Sequence, residues 1–191
     1  MNNLFPIFVK LEDLHVLLVG GGNVGFEKLS ALLNNSPDAK VTVVANLIRD
    51  EVREFVVNKP NVQLVNRNFQ FADLQEKDLV ILATDNPDLH QSIKRVTVEN
   101  HILTNVADTP DLCDFYLGSI VQKGDLKIAI STNGKSPTLA KRIKEFLNEI
   151  IPEDIQQLLD NLQTYRNTLK GNFQDKVKEL NDLTASLLKK A

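Results

Sequence analysis

The six residues Gly20-Gly21-Gly22-Asn23-Val24-Gly25 carry the spacing G-x-G-x-x-G. In such a turn the first glycine allows a tight bend and the second lets backbone approach a pyrophosphate. The third lets the next helix pack closely on the strand before it. A helix that starts here offers unpaired N–H groups and partial positive charge to phosphates. The spacing is weak alone and gains its meaning from context, a strand before it and a helix after it. A second candidate is Asp108, which follows a fifth strand-like run. A carboxylate at the carboxyl end of a parallel strand can act as a base. An aspartate two residues before Pro110 can equally cap a turn, and position alone does not separate the two. Thr84 and Asn105 also stand at strand ends and would line the same crevice, while Asp85 reads at least as well as a helix cap. A second strand in this arrangement ordinarily ends in Asp or Glu, which binds an adenosine ribose. Here Val44-Ala45-Asn46-Leu47 offers the amide of Asn46 instead. An amide can still bond a ribose hydroxyl. Arg49 lies three residues on without an arginine cluster at the strand end, so NAD is expected rather than NADP.

These residues need a scaffold. Val16-Leu17-Leu18-Val19 runs directly into the glycines and reads as a buried parallel strand. Runs at Val41–Val44, Val62–Val65, Leu79–Ala83 and Ile102–Thr104 supply four more strands. Helical stretches lie between them, at about 24–33, 48–57 and 86–99. Strands alternating with helices at this spacing predict a Rossmann-type α/β parallel sheet. After Pro110 the pattern changes to a hairpin, Phe115–Val121 and Leu126–Ser131 around Gly124-Asp125. Ser136-Pro137 opens a helix lined by Leu139, Ile143, Phe146, Leu147 and Ile150. Amphipathic helices follow Pro152, the first ended by Gly171 and the last marked by Phe173, Val177, Leu180, Leu183 and Leu187. The expected division is 1–113 for the dinucleotide domain, 114–150 for a dimerisation region and 151–191 for a small helical domain.

The chain has 191 residues, 25% of them charged, with a net charge of −3. That balance implies no bulk attraction to nucleic acid or to an anionic membrane. No apolar run approaches the length of a bilayer span, and the N-terminal residues lack a secretory pattern. The single cysteine, Cys113, cannot form an internal disulfide. A cytoplasmic protein is expected. His15, His90 and His101 are scattered without metal-site spacing, so no metal ligands are expected.

The order of local signals resembles the precorrin-2 dehydrogenase/sirohydrochlorin ferrochelatase family. It is carried by Leu4-Phe5-Pro6-Ile7-Phe8, the glycine turn, Ala83-Thr84-Asp85, Asn105-Val106-Ala107-Asp108 and Ser131-Thr132-Asn133-Gly134-Lys135-Ser136-Pro137. The resemblance spans about residues 4–150. It implies oxidation of precorrin-2 to sirohydrochlorin with NAD, in some members insertion of ferrous iron, and a homodimer. The family's catalytic carboxylate falls in an N-V-x-D segment matched by Asp108. Its cofactor contacts match Asn23 and Val24 in the turn, and Asn46 and Leu47 at the second strand's end. Precorrin-2 carries many carboxylates, so Lys135, Lys141, Arg142 and Lys144 would suit its rim; a solvated helix face balanced by Glu145 and Glu149 fits them as well. A rival from another class is a nucleotide-sensing regulatory module, which would need the glycine turn but not Asp108.

Overall fold

The computed structural model describes residues 2–170 and 172–185. Gly171 and Leu187, expected to end one helix and to line the next, lie outside the described residues. Five parallel strands form one sheet: β1 (His15–Gly21), β2 (Lys40–Ile48), β3 (Val62–Asn66), β4 (Leu79–Leu82) and β5 (Leu103–Val106). Their order is β3-β2-β1-β4-β5. The helices α1 (Asn23–Asn35), α2 (Asp50–Val56) and α3 (Pro87–Glu99) connect them.

Alternation along the strands builds a core on each face. Val16, Leu18, Val41, Val43 and Ile81 point to one side, where they meet Leu29, Leu32 and Leu33 of α1 and Val52 of α2. Leu17, Val19, Val44, Val80 and Leu82 point to the other, where they meet Ile93 of α3. Crossovers from β1 to β3 thus use one face and the crossover from β4 to β5 uses the other. The strand order reverses between β1 and β4, and a doubly wound sheet opens its crevice at the carboxyl ends there.

Helix α3 starts where Pro87 suits the first helical position, and the cap is the residue before it. Asn86 Oδ1 accepts from the Leu89 N–H at 3.0 Å. Asp85, the expected cap, is therefore one residue too early to do this.

The chain divides into two compact units. The first comprises Met1–Gly118 with Ser131–Ser136, and the second comprises Ser119–Ile130 with Pro137–Ala191. Two bonds explain why residues just past β5 stay with the first unit: Asp114 N donates to Thr104 O at 2.8 Å, and Asn105 Nδ2 donates to Phe115 O at 2.8 Å. Phe115 and Leu117, expected in the hairpin, instead pack against the sheet core.

In the second unit, β6 (Ser119–Lys123) and β7 (Leu126–Ile130) pair antiparallel. The left-handed conformation their two-residue turn requires falls on Gly124, at φ +55°. Helix α4 (Pro137–Ile150) follows, with Ala140 buried, and then α5 (Ile155–Thr168) and α6 (Phe173–Thr184). Gln156 of α5 grips the hairpin turn, accepting from Asp125 N at 2.7 Å and donating to Asp125 Oδ2 at 3.0 Å.

Candidate dinucleotide and catalytic site

The glycine turn meets its steric requirements atom by atom. Gly20 has φ +124°, and a Cβ there would lie 2.3 Å from Ala83 O. A Cβ on Gly25 would lie 2.2 Å from Gly20 O, so this glycine lets α1 seat against β1. Gly22 differs, because a Cβ on it would meet nothing within 4 Å. Its space is open to something other than protein. Gly22 also caps α1 without a side-chain bond, and no acidic residue occupies the first turn. The N–H groups of the turn, with Asn23 and Val24 next in line, therefore suit an anionic pyrophosphate.

Gly21 has a role the motif does not announce. Its Cβ would lie 2.6 Å from Leu47 O, because β2 departs from regular pairing here. Val19 pairs with Val44 but Gly21 pairs with Ile48. The extra residues push Asn46 and Leu47 out of the ladder, and Leu47 is 73% exposed. Asn66 Nδ2 donates to Asn46 O at 2.8 Å and fixes the bulge. Both residues are thus presented at the carboxyl edge beside the turn.

Ala83 N donates to Val19 O at 2.8 Å and Ala107 N to Leu82 O at 2.9 Å, so the ends of β1, β4 and β5 are stitched into one edge. Thr84 sits on that edge, its hydroxyl 2.8 Å from His90 Nε2. His90 is buried, and burial pushes its imidazole below the ordinary value while the Asp85 charge opposes this. Asn105 is buried too. Its amide nitrogen is committed to Phe115 O and, at 3.6 Å, to Cys113 Sγ, so its expected cofactor contact is left to Oδ1. Cys113 accepts from Val106 N at 3.2 Å and burial pushes its thiol up, which suits a structural role.

Asp108 is exposed and left-handed, at φ +56°. Asp tolerates this region better than most residues. The turn around it closes through backbone, Thr109 N to Val106 O at 3.3 Å, and Thr109 is the cap of the short helical turn Pro110–Leu112. The Asp108 carboxylate accepts no hydrogen bond from the described residues. A turn-capping role is not what the geometry shows.

A family model described as NAD(P)-binding matches residues 7–119. A second, described as the central part of a sirohaem biosynthesis protein, matches residues 123–149. The chain belongs to this NAD(P)-binding family. Within the family it is 34% identical over 177 residues to a siroheme synthase of Ruthia magnifica subsp. Calyptogena magnifica, covering 93% of this chain. A siroheme synthase of Pseudoalteromonas atlantica is 36% identical over 169 residues, covering 88% of this chain. The chain spans about a third of the length of these curated relatives, 35% and 36%. Among solved structures, SirC, a precorrin-2 dehydrogenase, aligns with a TM-score of 0.72 at 27% identity, covering 94% of this chain and 89% of its own.

The expected basic rim is divided in this family member. Lys135 falls in the first unit, whereas Lys141, Arg142 and Lys144 are on α4 in the second. Arg142 pairs with Glu145 at 3.2 Å on an exposed surface, which is the behaviour of a solvated helix face. No helix among the described residues is long and apolar enough to cross a membrane.

Proposed function

We propose that this chain oxidises precorrin-2 to sirohydrochlorin with NAD, a step of sirohaem synthesis. The observation that carries the reading is the pairing of two features on one sheet edge. One is an open glycine turn at β1, and the other is an uncommitted carboxylate, Asp108, just past β5. Bound NAD supplies the hydride acceptor. The cradle for its pyrophosphate is the backbone at Gly20, Gly22 and Gly25 with the first turn of α1 at Asn23 and Val24. Asn46 and Leu47 flank the adenosine side, and Thr84 and Asn105 flank the nicotinamide side. Removing two hydrogens from the macrocycle leaves one as a proton, and the Asp108 carboxylate takes it. A nucleotide sensor would have no use for a carboxylate held free in this position.

The reading includes a cytoplasmic homodimer. Leu139, Phe146 and Ile150 of α4 are 52%, 58% and 54% exposed in the single chain. Among the described residues the β6–β7 ribbon is joined by no third strand. A second copy would cover both features.

Asp108→Asn keeps the size of the side chain and removes its charge. NAD affinity is expected to persist while sirohydrochlorin formation slows by about 10²–10⁴-fold. Turnover of precorrin-2 by this variant at the unmodified rate, followed by tetrapyrrole absorbance, would overturn the assignment.

A further inference from the structure

We infer that Arg49 and Glu51 together set the preference of this site at the 2′ position of the adenosine ribose, holding out a 2′-phosphate. The inference rests on the dinucleotide reading above and adds what distinguishes NAD from NADP. Its starting point is position. Arg49 N donates to Gly21 O at 3.1 Å, which pins residue 49 to the glycine turn. One nitrogen of its guanidinium donates to Asn23 Oδ1 at the start of α1. The group therefore bridges the pyrophosphate turn and the end of β2, directly after the exposed Asn46–Leu47 bulge. In a doubly wound sheet this is where the adenosine ribose is read.

An arginine here would ordinarily welcome a 2′-phosphate, because its planar fork matches phosphate oxygens two at a time. In this chain the fork is taken. Arg49 Nε donates to Glu51 Oε2 at 3.0 Å and Nη2 to Glu51 Oε1 at 2.6 Å, a bidentate pair. Both side chains stay open to solvent, 41% and 52% exposed, so a nucleotide can reach them. The Glu51 carboxyl is held down to about 2 by Arg49, so it is anionic throughout the physiological range. A dianionic phosphate arriving at the β2 end must displace Glu51 from the fork or sit beside its charge. A ribose hydroxyl brings no charge and meets neither obstacle. Arg53, another cation on α2, is turned away to Asn66 Oδ1 at 2.6 Å. The acidic residue missing from the strand end is thus replaced by one on α2 that acts through Arg49.

The test is calorimetric titration of the whole protein with NAD and with NADP. The unmodified chain should favour NAD. Glu51→Gln frees the fork and should shift the NADP-to-NAD affinity ratio toward NADP by about tenfold or more. Adding Arg49→Gln to that variant should cancel the gain, since the gain belongs to the guanidinium. A ratio that moves less than about twofold in Glu51→Gln, or a gain that survives in the double variant, overturns the inference while NAD binding itself stands. So does equal affinity of the unmodified protein for both nucleotides. Failure of the unmodified protein to bind either one removes the dinucleotide reading, and the inference with it.

Discussion

Three glycines of one turn face three different neighbours and the fourth faces open space, and substitution should separate them. Gly22 has open space where its Cβ would be, whereas Gly25 faces Gly20 O at 2.2 Å. A bulky residue at Gly22 has no protein atom to strike and would instead occupy the approach to the pyrophosphate. Gly22→Val should therefore melt close to the unmodified protein and lose NAD affinity. Gly25→Ala should reverse the pattern at the level of stability, with an overpacking cost of about 1–3 kcal/mol seen in chemical denaturation. A Gly22→Val protein that is folded and binds NAD normally would contradict the assignment of the turn. The spacing of these glycines was legible in the sequence because each role demands an absent Cβ. The role of Gly21 was not, since it depends on a bulge in the next strand, β2. Asp108 could be read in two ways because an aspartate before Thr-Pro looks the same whether its carboxylate caps or stays free. The Arg49–Glu51 tie was equally hidden, because spacing names charged residues without saying where they point.

At the scale of elements, the apolar runs and their alternation with helices made all five parallel strands readable. Boundaries failed where tertiary contacts override local pattern. The bulge in β2 has no glycine or proline to announce it, and residues 115–118 look like strand while packing against the sheet core. His90 is another such case: nothing in its spacing marks it as buried, yet α3 carries it inward to Thr84. That burial has a pH consequence. Its imidazole titrates below the ordinary 6.5 in the fold, so near that pH the unfolded chain binds more protons. Stability is then complete above about pH 6.5 and declines as the pH falls below it. His90→Gln keeps a polar partner for Thr84 without a titrating group, and its melting temperature should be flatter between about pH 7.5 and 5.5. Equal slopes for the two proteins would place the acid sensitivity elsewhere.

At the scale of the molecule, the exposed side of α4 and the two-stranded hairpin bear on assembly. Light scattering should give twice the chain mass at micromolar concentration. Phe146→Glu, which puts a charge in the middle of the exposed apolar side of α4, should shift the mass toward the monomer with little effect on the sheet. A monomeric mass for the unmodified protein at every concentration would exclude the homodimer. One feature of the two units also bears on how the protein is made. The first unit is discontinuous: the chain leaves it after Gly118, returns for Ser131–Ser136, and leaves again. It is therefore not finished when its last strand emerges from the ribosome. Its closing six residues arrive only after the whole β6–β7 hairpin has been synthesised. Three passages of chain join the units where a simple tandem arrangement has one. Recombination or truncation at residue 118 would thus separate a sheet from part of its own unit, and a workable cut has to fall beyond Ser136.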